Sequence, residues 1–171
     1  IFLVTNGQEP DMIQKLQDED ALPTQLYLST NAADYESFIK INKPKYDDSW
    51  ERWNRTLDML KDLDTRTVLR ITLIRNYNDQ KEMIPAFADM FRKASPHFIE
   101  IKSYMHIGRS TNRLEHENML EMSEVKKFSE EIAKQSKIFS IMDESLVSRI
   151  SILQNNERFI DRWISAYANT N

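Results

Sequence analysis

Cysteine is absent from this 171-residue chain. That excludes a disulfide framework, a thiolate nucleophile and any iron–sulfur cluster held by the chain's own thiolates. Glycine is nearly absent: only Gly7 and Gly108 occur. Each is expected where the backbone needs a positive φ or a close approach. No apolar run approaches the ~20 residues of a membrane-crossing helix, and the first residues lack the basic stretch that opens a signal peptide. We therefore expect a cytoplasmic chain with no membrane partner. Excess positive charge is missing too. The net charge is −4, so any contact with nucleic acid needs a local basic patch. Also absent are a phosphate-binding P-loop, a GxGxxG and an HExxH. The three histidines, His97, His106 and His116, are scattered. Solvated loop histidines are a simpler reading of His106 and His116 than a metal site, so no metal is assigned.

What is present suits one domain over residues 1–171. Strand-like and helix-like segments alternate. Strands are expected at Ile1–Thr5, Gln25–Ser29, Thr67–Ile74, Phe98–Ser103, Ile138–Met142 and Val147–Leu153. Helices are expected at Asp11–Gln17, Ala33–Ile41, Asp47–Leu63, Lys81–Lys93, Glu124–Ser136 (capped by Ser123) and Asn156–Ala168. The clearest helix carries Trp50, Trp53, Leu57, Leu60 and Leu63 on one stripe, and Asp47 or Asp48 can cap it. Such alternation implies right-handed βαβ units, hence an α/β fold with a parallel sheet and outer helices.

The sheet could be doubly wound or part of a (β/α) barrel, and the strand faces favour the barrel. In VLRITLI, Leu69, Ile71 and Leu73 share one face, while Val68, Arg70, Thr72 and Ile74 share the other. In FIEIKS, Ile99 and Ile101 oppose Glu100 and Lys102. Strands covered on both sides are apolar on both faces. Here a polar face points to a lined cavity, the alternative being an edge strand turned to water.

Parallel α/β folds bind ligands just beyond their strand ends. The chain places Thr5-Asn6-Gly7, Ser29-Thr30-Asn31, Asn76-Tyr77-Asn78 and the segment from Lys102 to Arg113 there. Each of the first three is also an ordinary turn; four polar strand ends together point to a ligand rim. SYMHIGRSTNR gathers Tyr104, His106, Arg109 and Arg113 around Gly108. Rings and guanidinium planes stack on bases, and arginines meet phosphates. The alternative is a solvated loop whose arginines pair with Glu115 and Glu117.

Five segments carry a specific likeness: FLVTNGQ, PTQLYLSTNA, TRTVLRITLIRNYN, PHFIEIKSYMHIGRSTNRLEHENM and DESLVSRI. In order and spacing they resemble the tRNA wybutosine-synthesising protein 1 family, the radical S-adenosylmethionine 4-demethylwyosine synthases. The resemblance implies the C-terminal part of a partial (β/α)6 radical-SAM barrel. It implies 4Fe–4S clusters, S-adenosylmethionine and a radical reaction that joins pyruvate carbons to N1-methylguanosine beside the anticodon of phenylalanine tRNA.

Carried over by position, Thr5, Asn6, Gly7, Ser29, Asn31, Arg70, Thr72 and Asn78 are expected on the cofactor side. Lys102, Tyr104, His106, Arg109 and Arg113 are expected on the substrate and tRNA side. Asn31 stands where the family often has Asp, so a ribose hydrogen bond survives without the charge. Asp143, Glu144, Ser148 and Arg149 match a later segment in which Ser145, Leu146 and Val147 replace an expected His-Glu-Pro. The family's CxxxCxxC loop, first two strands and Gly-Glu-Pro motif would precede residue 1. The chain is therefore expected to be a C-terminal portion, inactive alone, with an open strand edge at Ile1–Thr5 that favours self-association. The alternative is a non-catalytic half-barrel that binds tRNA or a partner chain.

Overall fold

The computed structural model describes residues 1–164. Six strands form one mixed sheet. They are β1 (Phe2–Thr5), β2 (Gln25–Ser29), β3 (Arg66–Leu73), β4 (Phe98–Ser103), β5 (Phe139–Ser145) and β6 (Ile150–Asn155), in the order β1-β2-β3-β4-β6-β5. The first four run parallel, with Tyr27 beside Val68 and Arg70 beside Glu100. The last two depart from an all-parallel expectation. β6 is antiparallel to both β4 and β5, so β5 keeps the direction of β4 and β6 folds back into the gap between them. The four-residue turn 146–149 is too short for a parallel crossover, which needs about a dozen residues or more.

Helices follow the strands: α1 (Pro10–Asp18), α2 (Tyr35–Asn42), α3 (Ser49–Met59), α4 (Ile84–Ala94) and α5 (Met122–Ser136). α3 stops earlier than its apolar stripe, yet Leu60 and Leu63 remain buried in the turn beyond it. Asp48 stands at the N-cap of α3, but its carboxylate takes the Arg52 guanidinium at 2.8 Å instead of a backbone N–H. In α5 the cap is Glu121, not Ser123; Glu121 and Glu124 form a reciprocal capping box. The expected helix over 156–168 is not found in residues 156–164, and the rest of it lies outside the described residues.

All five helices contribute to one core against one face of the sheet. Leu26, Leu28, Leu69, Ile71, Leu73, Ile99 and Ile101 are fully buried there with Trp53, Phe87 and Phe91. The opposite face carries Tyr27, Arg70, Thr72, Glu100 and Lys102, matching the two-faced pattern of the sequence. Residues 156–164 run over the lower part of this inner face. There Arg66 donates to the carbonyls of Asp161 and Arg162 at 2.6 and 3.1 Å, and Arg162 pairs with Asp143.

His97, just before β4, accepts the Thr67 backbone N–H at Nδ1 (3.1 Å). Burial, then Arg158 and Arg66, lower its pKa from 6.5 to about 4. The unfolded chain takes this proton first on acidification. Stability linked to His97 is therefore complete above pH 6.5 and is lost as pH falls towards 4. Urea titrations at stepped pH are expected to show this decline, and His97→Gln is expected to flatten it. An equal decline in the variant would rule His97 out as its source.

Candidate functional site

The strand ends are locked from beneath by α3. Gly7 adopts φ +75°, and a Cβ there would lie 2.7 Å from Leu28 Cδ1 and 3.1 Å from Trp53 Cδ1. Only glycine fits both the backbone and the space. Thr56 Oγ1 donates to the Gly7 carbonyl at 2.8 Å, and Trp53 Nε1 donates to the Ser29 carbonyl at 3.1 Å. Trp53 stacks on Trp50 at 5.3 Å, with Phe38 of α2 5.8 Å away. At the β1 end, Thr5 Oγ1 accepts the Gly7 N–H and Asn6 Oδ1 accepts the Gln8 N–H.

Above this floor opens a cleft of about 570 Å³, lined by Asn6, Gln8, Glu9, Ser29, Asn31, Phe38, Asn42 and residues 43–46. Its size lies in the range of small-molecule sites. Gln8 spends its amide N–H on the Ser49 carbonyl at 3.0 Å, while its buried Oε1 has no hydrogen-bond partner among the described residues. A buried, unpaired acceptor is costly unless a donor meets it. Of the residues expected on the cofactor side, Asn6, Ser29 and Asn31 line this cleft. Thr5 and Gly7 shape the corner below. Asn31 bridges elements: its Oδ1 accepts the Thr72 N–H at 3.1 Å and its Nδ2 donates to Asn42 at 3.2 Å. Asn78 is fully buried and donates to the Asn31 and Thr72 carbonyls, both at 2.9 Å. It positions the rim and presents no free group to the cleft.

Arg70 and Thr72 stand elsewhere, on the inner face of the sheet. Arg70 forms a two-pronged ion pair with the cross-strand Glu100, at 2.8 and 3.3 Å, and lies over the Tyr27 ring. Burial and the Glu100 charge push the Tyr27 hydroxyl up. Lys102, beside Thr72 in register, is half-buried and has no ion pair among the described residues.

The polar loop after β4 is ordered by Arg75. Its guanidinium holds the Glu117 and Met119 carbonyls at 3.0 and 2.9 Å and the Glu124 carboxylate at 2.5 Å. Glu124 is thereby held below the usual carboxylate range. Tyr104 is buried, its hydroxyl 3.2 Å from His106 Nδ1 and 3.1 Å from Ser110. The His106 and His116 rings meet edge to face at 6.2 Å. Arg109 and Arg113 are exposed, and neither pairs with Glu115 or Glu117.

A family model described as wyosine base formation matches residues 93–155. The S-adenosyl-L-methionine-dependent tRNA 4-demethylwyosine synthase of Methanocaldococcus jannaschii is 41% identical over 162 residues, covering 94% of this chain and 48% of that protein. A solved structure of TYW1 with a lysine–pyruvate adduct bound superposes with a TM-score of 0.80 at 40% identity, over 93% of this chain and 48% of that one. In sequence and fold, the chain is similar to the tRNA 4-demethylwyosine synthases.

The chain spans about half the length of these family members. Coproporphyrinogen III oxidase from Escherichia coli, described as a radical SAM enzyme, shares the fold at 12% identity with a TM-score of 0.57, over 92% of this chain and 35% of that one. The sheet thus has the fold of part of a radical-SAM barrel.

Within the matched 4-demethylwyosine synthase region, the acidic segment near β5 is occupied structurally. Glu144 pairs with Lys126, Asp143 with Arg162, and Arg149 holds the Leu120 carbonyl and Glu121. Sequence reasoning missed Gln8, Phe38, Asn42 and Tyr46 as cleft walls. Asn-Lys-Pro-Lys-Tyr at the end of α2 was the available signal, a cationic run placed beside a strand end.

Proposed function

We propose that this chain forms part of the cofactor and substrate walls of an enzyme that makes 4-demethylwyosine from N1-methylguanosine in phenylalanine tRNA, using pyruvate. The supporting observation is the strand-end cleft with the orphaned Gln8 Oε1 at its wall. S-Adenosylmethionine fits that donor set. Asn6, Glu9 and Ser29 offer acceptors for ribose hydroxyls and amino groups, and Tyr46 adds an aromatic ring to the lining. When bound, this cofactor supplies one-electron chemistry. A 4Fe–4S cluster does not fit the chain, which has no cysteine to hold it. The reducing cluster belongs to the remaining length of the enzyme, and we expect the chain alone to be inactive.

The inner face takes the substrate side in this reading. Thr72 and Lys102 border the interior, while Tyr104 and Arg75 hold the loop that carries His106, Arg109 and Arg113 to the rim for tRNA. A cytoplasmic setting follows from a tRNA substrate; no described helix is long and apolar enough to cross a membrane.

The open edge of β1 completes the proposal. Ile1, Phe2 and Val4 are 92%, 59% and 53% exposed, and an unpaired apolar edge favours strand addition. In isolation we expect a second copy to cover it. Light scattering of the chain at rising concentration is expected to show dimers or larger species; a monomer throughout would contradict that pairing.

Cofactor binding is tested by amide NMR titration with S-adenosylmethionine. Shifts are expected at Asn6, Gln8, Ser29 and Asn31, with weak affinity, and Gln8→Leu is expected to weaken it further. Shifts confined to other elements, or none at all, would retire the cleft as the cofactor wall.

A further inference from the structure

Positive charge gathers beside the strand-end cleft. Lys40 lies in the last turn of α2, Lys43 caps that helix in the left-handed region (φ +46°), and Lys45 follows Pro44. A cation in the last turn offsets the partial negative charge of a helix C-terminus. That accounts for Lys40 alone. It does not account for Lys43 and Lys45 beyond the cap, or for Arg113 arriving from the loop after β4.

Lys40, Lys43, Tyr77 and Arg113 line one small cleft of about 80 Å³. Lys40 Nζ stands 5.0 Å from the centre of the Tyr77 ring. Beneath it, Ile41, Ile74, Tyr104 and Leu114 form a small buried core that joins α2, the β3 end and the loop. The cations are therefore presented from a packed floor. Among the described residues, no ion pair involves Lys40, Lys43, Lys45, Arg109 or Arg113. Five unpaired cations on a chain of net charge −4 amount to a local basic surface. Lys43 also lines the larger cleft, so the two cavities share a wall.

We propose that this cleft is a binding site for RNA backbone phosphate, with Lys40 and Lys43 on one wall and Arg113 on the other, and with Lys45 beside them on the adjoining larger cleft. The assignment rests on the tRNA reading above and extends the RNA-facing surface from the loop after β4 onto α2. A strip of cations from two elements, with the Tyr77 ring beside it, suits a polyanion with bases attached.

The test is fluorescence anisotropy of a labelled anticodon stem-loop transcript with the 171-residue chain, over a series of salt concentrations. Lys40→Gln, Lys43→Asn and Lys45→Gln are combined; Asn tolerates the left-handed backbone at 43. Lys61→Gln, Lys127→Gln and Lys134→Gln make the charge-matched control outside the cleft. Binding by the cleft variant is expected to fall about tenfold or more. The slope of log K against log salt is expected to shrink by roughly 0.7–0.9 for each phosphate no longer neutralised. The control is expected to change little. Equal losses in both triples would overturn the proposal.

Loss in Arg109→Ala/Arg113→Ala with none in the lysine triple would overturn the cleft and leave the RNA reading standing. An unaltered chain that does not bind the stem-loop would sink that reading, and the cleft with it. Inorganic phosphate that binds the unaltered chain and loses binding in the lysine triple, while the stem-loop binds both chains equally, would assign the cleft to free phosphate and overturn the RNA assignment.

Discussion

The site depends on one side chain's reach. Trp53 fills the space left by the missing side chain of Gly7 and sends its indole N–H to the Ser29 carbonyl. Thr56, nearly one turn further along α3, takes the Gly7 carbonyl. Two strand ends that would otherwise carry unsatisfied backbone are thus fastened to one helix. The polar residues that follow them, Asn6, Gln8 and Asn31, line the cleft above an apolar floor. A buried carbonyl without a partner costs about 1–3 kcal/mol, so the indole N–H and the aromatic cluster around it stabilise the same point.

The second constraint is the difference between the sheet's faces. Leu69, Ile71, Leu73, Ile99 and Ile101 commit one face to the helices. The other face can then hold charge only if the charge is paired or open to solvent. Arg70 and Glu100 pair across adjacent strands, while Lys102 has no carboxylate partner among the described residues. The rim continues this face through the loop after β4, which Arg75 and the Ile41–Leu114 core hold in place.

Much of this was legible in the sequence because periodicity is local. The alternation in VLRITLI and FIEIKS gave the two faces, and β2 and β4 fall on their expected boundaries. The scarcity of glycine drew attention to Gly7, and the structure supplies the positive φ and close approach expected of it. The antiparallel return of β6 was not legible, because a short strand reads the same in either direction. Nor was the Glu121 cap: a glutamate shows its capping role only through its geometry with Glu124. Asn31 and Asn78 looked like ligand groups because their side chains suit that role. Tertiary packing instead used much of their hydrogen-bonding capacity to join strands. Gln8 and Lys43 escaped notice for the opposite reason, since neither belongs to a pattern until α2 and α3 fold over β1.

The central claim is that α3 holds the strand ends in the arrangement that forms the cleft. Native-state amide exchange in Trp53→Phe tests it most directly, because phenylalanine keeps much of the ring packing and removes the N–H. The account predicts faster exchange at Gly7, Thr30 and Thr72, whose amides bond to Thr5, Arg70 and Asn31. It predicts a smaller change at Ile99 and Ile101 in β4, and a global loss of about 1–3 kcal/mol. Uniform acceleration across the sheet, or unchanged exchange at the strand ends, would contradict it.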